Sequence, residues 1–271
     1  MKASLYLLIL WLLALPESAQ SQAGELIFSH SIPASSPTAI SQDRSSHVYL
    51  LDGKYNLLRL DPLGRPLDTF SPPMRGRIST IEAWNPMKML LFYQDRQELV
   101  LLDRFMRPIS SISLSDINYQ GIAKAASLAA DDGFWLFDET NVTLSKLDVR
   151  LRKPTVETTL NLILDKEHFD VRMLREYQNM VYLLDYNSGI FVFDNLGNYL
   201  KKIPYKGVSY IGFRNNELYF VQEDNLHFLD LYTLEEHTQS LPPHKPYLSA
   251  IVNDSRAFLF GTDAADVYVL E

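Results

Sequence analysis

The chain has 271 residues, 46% hydrophobic and 21% charged, the composition of a globular protein long enough for one large or two small domains. Its formal net charge of −8 and a pI near 5.3, with no run of Lys and Arg, argue against nucleic acid and anionic membrane surfaces as partners. Cysteine is absent, which excludes disulfides and a thiolate nucleophile, and aromatic residues at 12% lean towards β structure.

Lys2 precedes an apolar run from Leu5 to Leu15, followed by Pro16 and the small and polar residues Ser18 to Ala23. This layout predicts a cleaved secretory signal over residues 1–23, cut after Gln20 or Ala23. The run is too short to cross about 30 Å of hydrocarbon, so no transmembrane segment is expected in the mature chain. Export without disulfides, and without a Cys to carry a lipid anchor, points to the bacterial periplasm or cell exterior.

Glu25 to Ile32 reads as a strand with no local partner. Beyond it a unit repeats six times. Apolar strands ending at Asp52, Asp95, Asp138, Asp185, Asp224 and Asp263 are each followed by a second strand ending at Asp61, Asp103, Asp148, Asp194, Asp230 or Glu271. Successive ends of the second strands lie 42, 45, 46, 36 and 41 residues apart, a spacing in the range of a propeller blade. A weaker inner strand precedes each pair: Pro37 to Gln42, Ile78 to Ala83, Ile122 to Ala129, Val171 to Glu176, Val208 to Phe213 and Leu248 to Asn253. Outer strands rich in Pro, Lys, Glu and Thr follow five of them: Pro66 to Phe70, Pro108 to Leu114, Pro154 to Leu160, Tyr199 to Ile203 and Glu235 to Leu241. The sixth unit stops at Glu271 without an outer strand, and Glu25 to Ile32 is the segment available to fill that edge. The prediction is an all-β, six-bladed β-propeller of four-stranded antiparallel blades, one domain over residues 24–271, with Asn161 to Asp170 as the one connection where a short helix would fit.

Blade four, with Val181-Tyr-Leu-Leu-Asp185-Tyr-Asn187 and Phe193-Asp194-Asn-Leu-Gly197, resembles the NHL repeat, and blade one follows with Asp52 to Asn56 and Asp61-Pro-Leu-Gly64. In blades two and three Arg104-Phe-Met106 and Val149-Arg-Leu151 replace the glycine turn. The resemblance implies an exported six-bladed propeller of the NHL type. Related propellers of the lactonase and strictosidine-synthase-like groups hold a metal at the channel with Glu, Asn and Asp, which here implies Glu82, Asp170, Glu176 and Asn253 as ligands for Ca²⁺ or another divalent ion.

A hard-cation cage needs several oxygens on one centre, and these four residues are interspersed with Lys124, Arg172 and Arg175, so no cofactor is predicted. The recurrent acidic positions read as turn-opening Asp. His30, His47, His168, His227, His237 and His244 show no metal-ligand spacing, and Asn187-Ser-Gly189 lacks the glycine of a nucleophile elbow. The loops leading from one blade to the next are the stronger candidates, because a rigid ring presents them together. Their Met74, Arg75, Arg77, Tyr119, His168, Phe169, His244 and Tyr247 are residue types suited to an interface with a protein partner in the cell envelope. The reading is a non-catalytic binding or scaffold propeller. The alternatives are a metal-dependent hydrolase or lactonase, and glycan binding by exposed aromatics.

Overall fold

The computed structural model describes residues 26–73, 76–85 and 87–270. The expected signal segment, Met74, Arg75 and the terminal Glu271 lie outside them. The described residues form six separate antiparallel sheets of four strands each. β1 (Leu26–Pro33) belongs to the last sheet. Blade 1 is β2 (Ser41–Gln42), β3 (Val48–Leu51), β4 (Leu57–Leu60) and β5 (Pro66–Phe70); blade 2 is β6 (Thr80–Glu82), β7 (Met89–Tyr93), β8 (Glu98–Leu102) and β9 (Pro108–Ser113). Blade 3 is β10 (Ala123–Leu128), β11 (Phe134–Asp138), β12 (Thr143–Asp148) and β13 (Lys153–Thr159); blade 4 is β14 (Val171–Tyr177), β15 (Met180–Asp185), β16 (Gly189–Asp194) and β17 (Tyr199–Ile203). Blade 5 is β18 (Gly212–Arg214), β19 (Glu217–Gln222), β20 (Asn225–Asp230) and β21 (Glu236–Ser240). Blade 6 is β22 (Ser249–Val252), β23 (Arg256–Phe260) and β24 (Ala264–Leu270), completed by β1 on the outside. The sheets stand in a ring, a six-bladed β-propeller.

Strands run A to D from the channel outwards. Because neighbours are antiparallel, A–B and C–D turns share one face of the ring (the AB face), while B–C turns and the D-to-A connections share the other (the DA face). Ring closure is the pairing of β1 with β24, from Leu26 opposite Leu270 to Pro33 opposite Ala264, with a bulge between Phe28 and His30. Without β1 the outer edge of β24 would expose a row of unpaired N–H and C=O groups.

Each inner sheet packs on both sides against a neighbouring blade, so B strands are apolar throughout rather than alternating. All of β3, β7 and β11 is buried. Between blades 3 and 4, Trp135, Phe137 and Leu144 meet Val181, Leu183 and Phe191 in one cluster. Outer strands bury little and bulge where they leave the C–D turn: the register shifts at Leu60–Pro66, Leu102–Pro108, Leu147–Pro154 and Phe193–Tyr199. In three of these a proline, which has no N–H to give the ladder, sits at or beside the shift.

Inner side chains, three on A strands and Tyr219 on the B strand of blade 5, tie four pairs of neighbouring blades together. Ser41 Oγ accepts from Ala83 N–H (2.9 Å), Glu82 from Leu128 N–H (2.8 Å), Ser127 Oγ from Glu176 N–H (3.3 Å) and the Tyr219 hydroxyl from Val252 N–H (3.1 Å).

The C–D turns share one construction. Asp61, Asp103, Asp148, Asp194 and Asp230 each accept the backbone N–H two residues on, at 2.8–2.9 Å. A left-handed residue then closes the turn: Gly64 (φ 88°), Met106 (φ 56°), Arg152 (φ 51°), Gly197 (φ 81°) or Leu234 (φ 61°). Blades two, three and five therefore keep the turn without its glycine, at about 1–2 kcal/mol for each L-residue held there. Gly197 has no such freedom, since a Cβ would lie 2.6 Å from Val156 Cγ1 and 2.8 Å from Thr158 Oγ1 of the neighbouring blade. Gly197→Ala should lower unfolding free energy by about 1–3 kcal/mol in urea denaturation.

No helix forms over Asn161 to Asp170. Leu164 N–H bonds Leu160 C=O (2.8 Å) and Phe169 N–H bonds Asp165 C=O (3.0 Å), two successive single turns. Burial of Leu160 and Leu164 fixes the first turn, and the Asp165 carboxylate caps the second through Glu167 N–H (3.1 Å). Short 3₁₀ turns occur instead at Gln94–Arg96 and Leu114–Ile117.

Candidate functional site

The channel opens on both faces and is closed in between. Glu82 on blade 2 and Arg175 on blade 4 approach to 3.8 Å, and both are buried. Their blades are not neighbours, so the pair spans the channel. Burial pushes the Tyr210 hydroxyl of blade 5 up, against the opposing pull of Arg175. Burial pushes the Glu82 carboxyl above the ordinary carboxylate range, against the opposing pull of Arg175 and Leu128 N–H.

The mouth on the AB face is a cavity of about 460 Å³. One wall is aromatic: Trp84 meets Tyr177 edge-on at 5.4 Å, Tyr177 stacks on Phe213 at 4.5 Å, and Arg44 lies over Trp84 at 5.7 Å. Glu176 lines the same mouth and accepts from Trp135 Nε1–H (2.6 Å) and Ala130 N–H (3.3 Å).

The mouth on the DA face is a cavity of about 510 Å³, lined by Ser36, Thr38, Ser79 and Thr80 together with Arg77, Asp95, Lys124, Asp170 and Arg172. Its charges alternate. Arg172 pairs with Asp170 at 2.8 Å, donates to Ser209 Oγ at 3.2 Å and lies 3.5 Å over the Tyr186 ring; Lys124 faces Glu139 at 3.8 Å. Three exposed apolar side chains stand on the D-to-A connections around it: Ile122, Leu162 and Leu248.

The four residues weighed as metal ligands do not share a centre. Glu82 and Glu176 hold backbone and indole N–H groups at the AB end, and Asp170 lies at the opposite mouth. Asn253 sits in the A–B turn of blade 6, where Oδ1 accepts from Ser255 and Arg256 N–H and Nδ2 donates to Pro62 C=O of blade 1. Among the described residues no three His, Asp or Glu side chains are grouped so as to hold a metal ion.

Of the interface residues read from the sequence, Arg77, His168 and His244 are exposed on the DA face, His168 against Asp165 at 3.1 Å. The aromatics chosen with them turn inwards. Tyr247 is buried, with its hydroxyl donating to Asp266 at 2.8 Å and within 2.9 Å of the Tyr268 hydroxyl. Phe169 packs edge-on against Phe137 at 5.6 Å, and Tyr119 packs against the core between blades 2 and 3. Aromatics near a blade junction were drawn into inter-blade packing, leaving the aliphatic Ile122, Leu162 and Leu248 outside. Leu162 lies in the aliphatic stretch Leu160 to Leu164, and nothing in the sequence sets it apart from the buried Leu160 and Leu164.

No family model matches the sequence, and comparison with curated proteins finds no match either. Solved structures do resemble the fold. A catalytically inactive histidine-to-alanine variant of virginiamycin B lyase from Staphylococcus aureus with quinupristin superposes with TM-score 0.55 at 10% identity, over 93% of this chain and 83% of that one. BamB from Moraxella catarrhalis gives 0.53 at 11% identity, over 91% and 100%. The Pan2 WD40 domain from Neurospora crassa gives 0.56 at 11%, over 94% and 92%. At such identities the likeness is one of fold, and it reaches a lyase as well as a WD40 domain. The NHL resemblance rests on the turn motifs of blades one and four, without a family match behind it. What the chain's own six sheets and these superpositions establish together is the β-propeller.

Proposed function

We propose that the chain is a non-catalytic binding propeller of the bacterial cell envelope, and that a protein partner seats on its DA face. The observation that carries this reading is the DA mouth: a wide bowl of hydroxyls and alternating charges with Ile122, Leu162 and Leu248 exposed on the surrounding loops. Interfaces combine such a hydrogen-bonding surface with a few apolar anchors. Enzymatic alternatives have less support. The neighbouring lyase is inactive in a histidine-to-alanine form, whereas no histidine is among the described residues lining either mouth here. The acids at the AB mouth are taken up by N–H donors from adjacent blades. Placement in the envelope is supported by the signal-like N-terminus and the absence of cysteine.

Affinity purification of the tagged chain from envelope extracts should recover a stoichiometric partner. The double variant Arg77→Glu and Leu162→Glu should reduce its recovery at least about tenfold, the equivalent of one lost anchor, with the melting temperature unchanged. Recovery of no stoichiometric partner by the unaltered chain, or equal recovery by the variant, would overturn the reading.

A further inference from the structure

The C–D turns do more than reverse the chain. In blades 1 to 5 each presents an exposed apolar side chain on the AB face: Leu63, Phe105, Leu151, Leu196 and Tyr232. Scattered exposed leucines need no explanation, but these recur two or three residues after the same Asp. That carboxylate accepts the tip's own N–H in every case: Leu63 (2.9 Å), Phe105 (2.8 Å), Leu151 (3.0 Å), Leu196 (2.9 Å) and Tyr232 (2.8 Å). The tips are thus held by the fold before any partner arrives.

Charge divides this face in two. The turns of blades 1 to 3, residues 61–65, 103–107 and 148–153, contain six cations (Arg65, Arg104, Arg107, Arg150, Arg152 and Lys153) and three acids, the turn-opening Asp61, Asp103 and Asp148. The turns of blades 4 and 5, residues 194–198 and 230–236, contain four acids and no cation. The A–B turns of the same blades add Arg44 and Lys88 against Asp43, Asp131 and Asp132, so a chain of net charge −8 still carries a basic, apolar-tipped half-face, which no linear run of Lys and Arg reveals. Phe105 stands between Arg104 and Arg107, whose guanidinium carbons lie 4.7 and 5.6 Å from its ring centre.

We propose that the AB face of blades 1 to 3 docks on an anionic lipid bilayer, with Leu63, Phe105 and Leu151 entering the interface and the flanking Arg and Lys meeting lipid phosphates. One feature favours a bilayer over an acidic protein. Protein interfaces are built around a contiguous desolvated core; here each tip stands on its own turn among cations. A fluid surface accommodates separate tips, because headgroups rearrange around each one and basic side chains gain from the negative surface potential. The proposal uses the face opposite to the protein-binding reading and stands apart from it.

The test is vesicle co-sedimentation of the chain beginning at residue 24, which retains all six sheets. Vesicles of phosphatidylcholine alone are compared with phosphatidylcholine mixed with phosphatidylglycerol, at low and physiological salt. The expected result is binding to the mixed vesicles, weaker on phosphatidylcholine alone and weakened by salt. Leu63→Ser, Phe105→Ser and Leu151→Ser combined should reduce binding at least about tenfold. Arg104→Glu with Arg150→Glu should reduce it at least about fivefold for each charge and flatten the salt dependence. Leu196→Ser with Tyr232→Ser, on the acidic half, should leave binding unchanged and control for loss of fold. No binding of the unaltered chain to mixed vesicles, equal binding by the triple variant, or capture of an acidic protein by the same tips without vesicle binding would each overturn the proposal.

Discussion

Arg175→Met should lower the unfolding free energy by about 3–5 kcal/mol, the range for removing one partner of a buried ion pair. The loss arises at Glu82. That carboxylate is 3% exposed, 3.8 Å from Arg175, and held in place by Leu128 N–H. Without the guanidinium it is a buried charge with no counter-charge across the channel. The sign with pH follows from the direction of the Glu82 shift, which is upwards from burial. A carboxyl whose folded pKa is raised binds more protons folded than unfolded, so stability falls as pH rises from the unfolded value, about 4.3, towards the folded one. Removing Arg175 raises the folded pKa further, so the variant should recover stability on mild acidification. Urea melts of both proteins across the acidic range measure this, and a gap that stays constant from neutral pH down to about pH 4 would contradict it. Adding Glu82→Gln to Arg175→Met should restore part of the loss, because both charges are then gone.

Asp266→Ala should cost about 2–4 kcal/mol, with the opposite dependence on pH. Asp266 lies on β24, buried, and receives Ser31 Oγ of β1, Lys245 Nζ at 2.7 Å and the Tyr247 hydroxyl at 2.8 Å. It joins the closing strand, the last D-to-A loop and the strand β1 pairs with. Burial alone would raise its pKa, but the bonds from Lys245, Ser31 and Tyr247 together outweigh burial and hold it below the ordinary value. The stability it supplies is therefore complete above the unfolded pKa, about 3.9, and is lost as pH falls through the lower folded pKa. The difference between the two proteins should be full at neutral pH and close only in strong acid. Lys245 is half-exposed, which places the loss at the lower end of the range. A loss that stayed the same into acid strong enough to protonate Asp266 in both states would show that packing rather than charge is responsible.

The ring could be read from the sequence because its elements repeat. Strict Asp endings, turn residues at hairpin spacing and apolar B strands recur in six units, and local chemistry alone places them. The unpaired Glu25 to Ile32 strand could be assigned by elimination, since a missing outer strand and a surplus first strand have one economical solution. Inner strands were the least legible. β2, β6 and β18 have two or three residues each, shorter than the stretches Pro37 to Gln42, Ile78 to Ala83 and Val208 to Phe213 read as strands. The Glu82–Arg175 bridge was out of reach for a different reason: the two residues are 93 positions apart and meet only across a closed ring. The inward turn of Tyr119, Phe169 and Tyr247 likewise depends on blade-to-blade packing. The basic half-face was hidden because its cations lie in three separate turns, each too short to read as a patch.

The closing pair joins the beginning and the end of the described chain, Leu26 opposite Leu270, 244 residues apart. During synthesis or export from the N-terminus, β1 is the first strand made and must wait for the last. A chain stopped short of blade 6 would carry five complete sheets and an unclaimed leading strand, and could not close. Such a long-range final contact slows folding and leaves strand edges open to other chains in the interval. The seam is therefore the contact of longest sequence separation in the ring, and the place where a holding chaperone, or a second copy exchanging its leading strand, would act.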